Sequence, residues 1–251
     1  MTQEEKVELF NLGPIHLGDN IACTNIIYNL ALQHGFKAKI NYSNHFVGRH
    51  LMKIFDYQGK IEIVKRTPRL PFWFSVGRYL NTKNKSMWTA RIFGASTFKP
   101  RYLEFFELPN CKLPPKEKKE KKEYKCYQVN SMSGHSGKPR LNMNEIKKTL
   151  KMFDEGNSYF ISNVGTRIPI PDTKIHFANL TNQSKFLLGC KSFFGVDSGM
   201  SHLSGSLKVS GDIIVQGLSS NFTDCIYQAY GIMYPTLRVH SRKIFKHLPC
   251  L

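Results

Sequence analysis

The sequence predicts an α/β protein with two parallel sheets, and three observations support that fold class. Short apolar runs alternate with segments of helical periodicity, the order that produces β-α-β units. The same alternation begins again after a stretch of prolines and charged residues. With 251 residues, the chain is long enough for two domains of roughly 100 to 130 residues each.

In the first half, an apolar run at 6–12 predicts a strand, and a loop, GPIHLGDN, follows it. Apolar residues at helical spacing over 21–34 predict a helix that ends at Gly35. A strand then begins at Phe36. A second helix at 46–57 and a third strand at 60–66 extend the pattern.

A charged stretch, LPPKEKKEKKEYK, separates the halves at 113–125. So charged a segment stays in solvent, which favours an exposed linker; a basic nucleic-acid arm is the alternative, and the interspersed glutamates weaken it. We therefore expect one domain at 1–112 and a second domain at 126–251. The last helix of the second is expected to pack back on the first.

The second half repeats the α/β order. Its predicted strands lie at 126–130, 158–164, 192–197 and 212–217, and its predicted helices lie at 143–153, 182–191, from about Ser198, and 221–231. Two such halves joined by a linker are typical of a two-domain enzyme with a cleft between the domains.

The charge of the chain predicts an anionic partner. It has 36 Lys and Arg against 18 Asp and Glu, a formal net charge of +18. Such a charge attracts polyanions over a long range, so nucleic acid, an anionic membrane surface or a phosphorylated substrate is expected. The alternative is that these charges only solvate the surface.

The sequence has no stretch of about 18 apolar residues, and its first ten residues are acidic. We expect a soluble, cytoplasmic protein, in the host cytoplasm if the source is viral. The six cysteines are scattered without a CxxC pair, so neither a disulfide framework nor a metal site is expected.

Three loops rich in small polar residues each follow a predicted strand, where parallel sheets bind ligands. The third loop, DSGMSH, opens a helix whose first amides attract anions. Gly199, Ser198 and Ser201 suit a diphosphate there. Asp197 could accept hydrogen bonds from a sugar hydroxyl, and His202 could donate to a phosphate. The alternative is a capped helix with a packed core histidine.

The other two loops supply further candidates. Lys138, in SGHSGKPR, is suited to neutralising a leaving phosphate. Asp19, in HLGDN, could act as a general base on an acceptor hydroxyl, and His16 could contact the acceptor or orient Asp19. The alternative for Asp19 is an N-cap.

In this order, the three loops resemble the motifs of heptosyltransferases, a family of inverting glycosyltransferases with the GT-B fold. Leu17-Gly18-Asp19 to Thr24 is similar to the family's LGD-x-x-x-x-T-P, with Asn25 at the proline. Lys138 is similar to the family's lysine that follows the first strand of the second domain and lies beside the donor phosphates. The segment from Asp197 to His202 matches D-[ST]-G-x-[ST]-H.

The resemblance implies two Rossmann-like domains facing a cleft, with an acceptor-binding domain at 1–112 and a nucleotide-sugar-binding domain at 126–251. It implies that Asp19 is the catalytic base, that Lys138 and the amides of Ser198 and Gly199 hold the donor diphosphate, and that Asp197 contacts the donor sugar. It also implies a nucleotide-diphosphate sugar as co-substrate, with no cofactor and no required metal.

The acceptor has two candidates. Basic residues interleave with aromatic ones between 69 and 102, including Arg78, Arg91, Trp73 and Trp88. These types bind phosphates and unstacked bases, so a hydroxymethylated pyrimidine in viral DNA is the first candidate. A phosphorylated glycolipid at an anionic membrane surface is the second.

Other classes fit less well. GPIHLGDN is a poor glycine loop for a nicotinamide or S-adenosylmethionine enzyme. GVDSGMS places its serine one position away from the G-x-S-x-G elbow of serine hydrolases. A non-catalytic nucleic-acid-binding protein stays open as an alternative.

Overall fold

The structure is a computed structural model that describes residues 6–12, 16–65, 105–114, 124–128, 157–162, 175–215 and 230–241. Its first sheet has three parallel strands in the order β1-β2-β4. The strands are β1 (Lys6–Leu12), β2 (Phe36–Tyr42) and β4 (Ile61–Ile63). Helix α1 (Leu17–His34) links β1 to β2, and α2 (His45–Ile54) follows β2. Gly35 ends α1 in the left-handed region, at φ 66°, where glycine is favoured.

The second sheet has six strands in the order β11-β10-β9-β6-β7-β8, each parallel to its neighbours. They are β6 (Lys125–Gln128), β7 (Ser158–Ser162), β8 (Ile175–Phe177), β9 (Ser192–Val196), β10 (Gly211–Val215) and β11 (Leu237–Ser241). Helix α3 (Leu180–Leu188) precedes β9, and α4 (Gly199–Ser206) follows it. A short antiparallel pair joins β3 (Phe55–Asp56) to β5 (Asn110–Cys111).

Helix α1 is the central element of the described core, because it packs against β2 on one side and against α4 on another. Almost all of its residues from 18 to 31 are buried. Its apolar side chains belong to one continuous cluster with those of both sheets. A helix that is buried on most of its circumference has no polar face, so its polar residues must find partners inside the protein.

Two of these buried polar residues tie α1 to the first half of the chain. Thr24 Oγ1 donates to the carbonyl oxygen of Asn20 and lies 2.7 Å from the hydroxyl of Tyr42 on β2. Asn29 pairs with the backbone of Glu107 in both directions, accepting from its nitrogen at 2.6 Å and donating to its oxygen at 2.9 Å. The pairing of Asn29 with Glu107 attaches residues 105–114 to α1.

The predicted α/β class with parallel sheets is confirmed, and several of the predicted element bounds differ from those of the structure. Helix α1 begins at Leu17 instead of 21, because the Asn20 nitrogen already bonds to the carbonyl of His16 at 3.0 Å. Helix α2 ends at Ile54, since the next two residues pair with β5. Helix α3 begins at Leu180 instead of 182, because the Asn179 side chain caps it by accepting from the Asn182 nitrogen, and it ends at Leu188 instead of 191. The sequence did not predict β3, β5, β8 or β11.

Several sequence predictions lie outside the described residues. They are most of the charged linker, the helix predicted at 143–153 and most of the helix predicted at 221–231. The domain bounds 1–112 and 126–251 stay predictions. Over the described ranges, no helix combines the length and the apolar character that a membrane span requires.

Replacing Gly211 with alanine tests the packing of the second sheet. The added methyl carbon would lie 1.9 Å from the backbone oxygen of Phe193 on β9. Because backbone atoms on paired strands cannot yield independently, we expect the free energy of unfolding to fall by about 3 kcal/mol. Urea unfolding followed by circular dichroism measures this loss.

Gly231→Ala is the matched control, since an added carbon there meets nothing within 4 Å. Residue 231 lies in a helical turn, where alanine is favoured over glycine by up to about 1 kcal/mol. Equal unfolding midpoints for Gly211→Ala and Gly231→Ala would contradict the observed register of β9 and β10.

Candidate active site

The first turns of α1 and α4 meet at two glycines. A methyl carbon added at Gly18 would lie 2.7 Å from Cδ2 of His202, and one added at Gly199 would lie 2.9 Å from the side chain of Leu17. Side chains larger than hydrogen therefore do not fit at this crossing without displacement. The contact brings the LGD segment of the first half against the DSGMSH segment of the second.

Asp19 is the third residue of α1, and the N-cap position belongs to His16. The His16 side chain makes no capping bond, whereas its carbonyl oxygen accepts from both the backbone and the side-chain nitrogen of Asn20. The reading of Asp19 as an N-cap is therefore wrong. Asp19 is partly exposed beside the α4 contact, and the exposed His16 lies one turn before Asn20.

The two serine hydroxyls of DSGMSH have partners within the protein. Ser198 caps α4 by accepting from the Ser201 nitrogen, and its own hydroxyl donates to Gln128 Oε1 at 2.5 Å. The Ser201 hydroxyl donates to the carbonyl oxygen of Val196 at 2.5 Å. Because these bonds fix both side chains, an anion at this helix would meet the backbone amides of the first turn.

The amides of that turn precede the first bond within α4, which runs from the His202 nitrogen to the Ser198 oxygen at 3.2 Å. They belong to Gly199 and Met200. The start of a helix carries roughly half a positive charge. Since α1 and α4 both begin here, the two helix ends reinforce each other's attraction for an anion.

His202 is held between two tyrosines that follow the 216–229 segment. Its Nδ1 lies 2.9 Å from the hydroxyl of Tyr234, and its ring centre lies 4.6 Å from that of Tyr230. Burial lowers the pKa of His202, while the negative charges of Asp197 and Asp19 act to raise it. Burial is the larger effect, so the imidazole is neutral at pH 7.

Asp197 is oriented by one of the same tyrosines. The hydroxyl of Tyr230 donates to Asp197 Oδ1 at 2.7 Å. The backbone nitrogen of Asp197 bonds to the carbonyl of Ile214 on β10. Its position at the tip of β9 is thereby fixed from two directions, and its carboxylate is partly exposed.

The carboxylates of Asp197 and Asp19 both act to raise the pKa of His202, although the two residues come from different halves of the chain. Asp19 also acts on the buried thiol of Cys23, whose pKa is raised first by burial and then by that carboxylate. The structure thus brings together Asp19, Asp197 and His202, and it places Ser198, Gly199 and Ser201 beside them. Their roles in binding and catalysis stay predictions.

The remaining predicted site residues lie outside the described part of the chain. They are Lys138, Arg78, Arg91, Trp73 and Trp88. Their roles in donor and acceptor binding also stay predictions.

Sequence reasoning missed Tyr230, Tyr234 and Gln128. The two tyrosines are four residues apart, a spacing that places both on one side of a helical turn. Tyrosine combines a large apolar ring with one polar group. This spacing alone does not connect the pair with the DSGMSH loop, which lies about 30 residues earlier in the sequence, and Gln128 has no signal of its own.

No family model matches the sequence, and no curated protein matches it. Solved structures match the fold. One is the dodecameric iron-containing heptosyltransferase TibC of enterotoxigenic E. coli, in complex with ADP-D-β-D-heptose. It has a TM-score of 0.56 and 16% identity, over 88% of this chain and 61% of that one. This chain therefore spans about three fifths of the length of TibC.

Two other matches extend over most of both chains. E. coli ADP-heptose lps heptosyltransferase II has a TM-score of 0.54 and 8% identity, over 97% of this chain and 95% of that one. The glycosyl transferase family 9 protein from Veillonella parvula has a TM-score of 0.55 and 12% identity, over 98% of this chain and 89% of that one.

TibC is described as iron-containing. Within the described ranges, no group of three or more His, Cys, Asp or Glu side chains is placed to hold a metal ion. These residues do not supply a ligand set for iron, and metal independence stays a prediction. With identities of 8 to 16%, the likeness concerns the fold: this chain has the α/β fold of heptosyltransferase-type glycosyltransferases.

Proposed function

We propose that the protein is an inverting glycosyltransferase that moves a sugar from a nucleotide-diphosphate sugar to a hydroxyl acceptor. The observation that carries the proposal is the contact between the first turns of α1 and α4. It brings Asp19 close to His202 of the DSGMSH segment, on which Asp197 also acts, although Asp19 and this segment are about 180 residues apart in the sequence. The heptosyltransferase fold supports the same reading.

The donor diphosphate would bind at the start of α4. The amides of Ser198 and Gly199, together with that of Met200, are suited to its oxygens, and Lys138 would supply the cation. Asp197 at the tip of β9 would accept a hydrogen bond from the donor sugar. In this arrangement Ser198 and Ser201 act through their bonds to Gln128 and Val196, which fix the first turn.

The reaction would proceed in one displacement. The acceptor oxygen attacks the anomeric carbon and forms the new glycosidic bond, while the bond from that carbon to the diphosphate oxygen breaks. Asp19 takes the proton of the acceptor hydroxyl, and the nucleoside diphosphate leaves with the electron pair. Helix ends and Lys138 stabilise the leaving charge, so we propose that no metal is required.

A hydroxymethylated pyrimidine of viral DNA is the proposed acceptor. The support is the net charge of +18 and the basic and aromatic residues between 69 and 102, among them Arg78, Arg91, Trp73 and Trp88. His16 is exposed just before α1 and three residues before Asp19, so it would contact the acceptor or orient Asp19. The expected location is the cytoplasm.

A phosphorylated glycolipid is the second candidate acceptor. One of the structures with this fold is named an ADP-heptose lps heptosyltransferase. The same basic residues would then meet anionic lipid headgroups.

Asp19→Asn tests the catalytic base. The amide keeps the shape of the carboxylate and cannot take a proton, so we expect kcat to fall by about 10² to 10⁴-fold. Binding of the nucleotide sugar is expected to persist. Transfer is measured with radiolabelled sugar, and donor binding is measured by thermal shift with ADP-heptose and with UDP- and GDP-sugars, each with and without a chelator.

Glu62→Gln is the control, because Glu62 on β4 forms a surface ion pair with Lys37 on β2, at 3.2 Å between Oε2 and Nζ, away from the contact of α1 and α4. Its activity should equal that of the unmodified protein. Undiminished transfer by Asp19→Asn would rule out the base role, and loss of transfer in chelator would rule out metal independence.

Tyr230→Phe tests the orientation of Asp197. The change removes the hydroxyl that donates to Asp197 Oδ1 and keeps the ring against His202. Without this bond Asp197 must be ordered when the sugar binds, at a cost below the roughly 1.5 to 3 kcal/mol that a hydrogen bond to a charged group is worth, so we expect the Kd for the nucleotide sugar to rise by up to about tenfold. Isothermal titration calorimetry measures the Kd.

Tyr57→Phe is its control. Tyr57 is buried, and among the described residues its hydroxyl has no hydrogen-bond partner. Removing that hydroxyl should leave donor affinity unchanged. Equal affinities for both variants would show that Asp197 does not need Tyr230 to bind the sugar.

Salt dependence distinguishes the two acceptors. If about six phosphates are contacted, affinity for hydroxymethylpyrimidine DNA should fall by roughly 10³-fold between 50 and 200 mM salt. Fluorescence anisotropy measures this affinity, and transfer is compared between that DNA and vesicles of phosphorylated glycolipid. Transfer to the vesicles alone, or DNA binding insensitive to salt, would contradict the DNA acceptor.

A further inference from the structure

One side of helix α2 is exposed and basic, and we call it the α2 face. It is formed by Phe46, Arg49 and Lys53, at positions i, i+3 and i+7, a spacing that places three side chains on one side of a helix. All three are exposed, and 69% of Phe46 is accessible to solvent. Helix α2 contains no Asp or Glu. Within the described ranges Arg49 and Lys53 form no ion pair, so both cations are open to an anionic partner.

The opposite side of α2 explains why these residues point outward. Gly48, Leu51 and Ile54 are buried there. A methyl carbon added at Gly48 would lie 2.5 Å from Cδ2 of Tyr42, so the helix rests directly on that ring. The Tyr42 hydroxyl lies 2.7 Å from Thr24 Oγ1 on α1. Because this packing fixes the rotation of α2, the α2 face is held toward solvent.

The α2 face combines two kinds of contact that suit a nucleic-acid strand. The guanidinium carbon of Arg49 lies 5.3 Å from the centre of the Phe46 ring, within the range of a cation–π contact. Unstacked bases stack on such rings, and neighbouring basic side chains follow the phosphates. Lys53 lies one turn farther, about 6 Å along the helix. Lys112 Nζ donates to the carbonyl oxygen of Met52 at 3.2 Å, so a third cation lies at this end of α2.

An anionic membrane is a poorer match for the same face. Helices that bind membranes bury several apolar side chains beside their cations. Phe46 is the one exposed large apolar side chain of α2, since Leu51 and Ile54 belong to the core. The two residues before the helix, Ser43 and Asn44, are polar and exposed. The chemistry of this face therefore favours a nucleic-acid strand over a lipid surface.

The α2 face begins at the same edge of the first sheet as the helix that carries Asp19. Strands β1 and β2 are parallel, and their last residues, Leu12 and Tyr42, are paired. The Ser43 nitrogen donates to the Leu12 carbonyl oxygen at 2.9 Å, so the chain leaves both strands side by side. Helices α1 and α2 each begin within five residues of those strand ends. A strand lying along the α2 face would therefore pass the sheet edge at which α1 begins.

We propose that the α2 face binds a nucleic-acid strand, with Arg49 and Lys53 on its phosphates and Phe46 stacked on one unstacked base. This surface is separate in sequence from the basic and aromatic residues between 69 and 102. Strand binding needs no sugar donor, whereas the use of the bound strand as the sugar acceptor rests on the proposed function. Binding and transfer are therefore tested apart.

The experiment measures how the full chain binds a fluorescein-labelled single-stranded DNA of about 16 nucleotides without modified bases. Fluorescence anisotropy gives the Kd at several salt concentrations between about 50 and 200 mM. In Arg49→Gln/Lys53→Gln two phosphate contacts are lost. Because each contact contributes about 0.7 to the slope of log K against log salt, we expect the slope to become shallower by about 1.4 and the Kd to rise about 25-fold at about 0.1 M salt.

Lys37→Gln/Lys208→Gln is the matched control, because it removes the same number of positive charges elsewhere. Lys37 lies at the amino end of β2, opposite the end that leads to α2, and Lys208 follows the end of α4. The slope and the Kd of this variant should stay close to those of the unmodified protein. Equal slopes for Arg49→Gln/Lys53→Gln and the unmodified protein, or equal losses in both double variants, would overturn the role of the α2 face.

Phe46→Ala tests the stacking contact. Stacking on an aromatic side chain accounts for about 5- to 150-fold in affinity per base, so we expect the Kd to rise within that range while the salt slope stays unchanged. Phe105→Ala is the control, since Phe105 is also an exposed phenylalanine and lies two residues before Glu107, which pairs with Asn29 of α1. An unchanged Kd for Phe46→Ala, or an equal rise for Phe105→Ala, would contradict stacking on Phe46.

Vesicles of phosphatidylserine and phosphatidylcholine distinguish a lipid partner from a nucleic-acid strand. Co-sedimentation measures how the same variants bind to them. If Arg49→Gln/Lys53→Gln loses vesicle binding and keeps its DNA affinity, the α2 face binds a membrane surface and the proposal is overturned. Loss of DNA affinity with unchanged vesicle binding supports it.

Transfer assays separate this inference from the proposed function. If the unmodified protein binds DNA through the α2 face and transfers sugar to glycolipid alone, the DNA acceptor fails and the α2 face stands. If sugar is transferred to DNA and Arg49→Gln/Lys53→Gln binds DNA as tightly as the unmodified protein, the α2 face fails and the proposed function stands.

Discussion

The close approach of α1 and α4 at Gly18 and Gly199 is the constraint on which the rest of the described structure depends. The first turns of two helices that follow strands of different sheets can meet this closely only if the residues at the contact have almost no side chain. Leu17 fills the space that Gly199 leaves, and the ring of His202 fills the space that Gly18 leaves. The core of both sheets is continuous through this contact, so the site and the fold share one interface.

The polar residues of α1 explain how that interface is specified. An apolar helix buried on most sides could rotate or slide against its neighbours with little loss of burial. Thr24, Asn25 and Asn29 each find one particular partner, on β2, on α4 and in the returning segment. Leaving such a buried group unpaired costs about 1 to 3 kcal/mol. Three unpaired groups together would therefore remove a large share of the free energy of unfolding of a typical domain. These residues therefore select one orientation of α1.

The sequence was sufficient to predict two parallel sheets and most of their strands, and insufficient to predict β8, β11 or the contacts of His202. Alternating apolar runs identified β1, β2 and β9, because their pattern is local. Asp19 and Asp197 could be singled out because each follows a predicted strand, where parallel sheets bind ligands. Their strands lie in different sheets, so their meeting was implied only by the resemblance to a two-domain family. Tyr230 and Tyr234 could not, since their partners are more than 25 residues away and depend on the packing of α4.

Charge balance in the site argues for a cation that these helices do not provide. The charges acting on His202 are those of Asp19 and Asp197, and a bound diphosphate would add about two negative charges. Two helix ends supply together roughly one positive charge. A neutral histidine contributes a hydrogen bond and no charge. The deficit is the physical reason to expect Lys138 at the neighbouring strand end, where its ammonium would offset the leaving phosphate while Asp19 stays available to accept a proton.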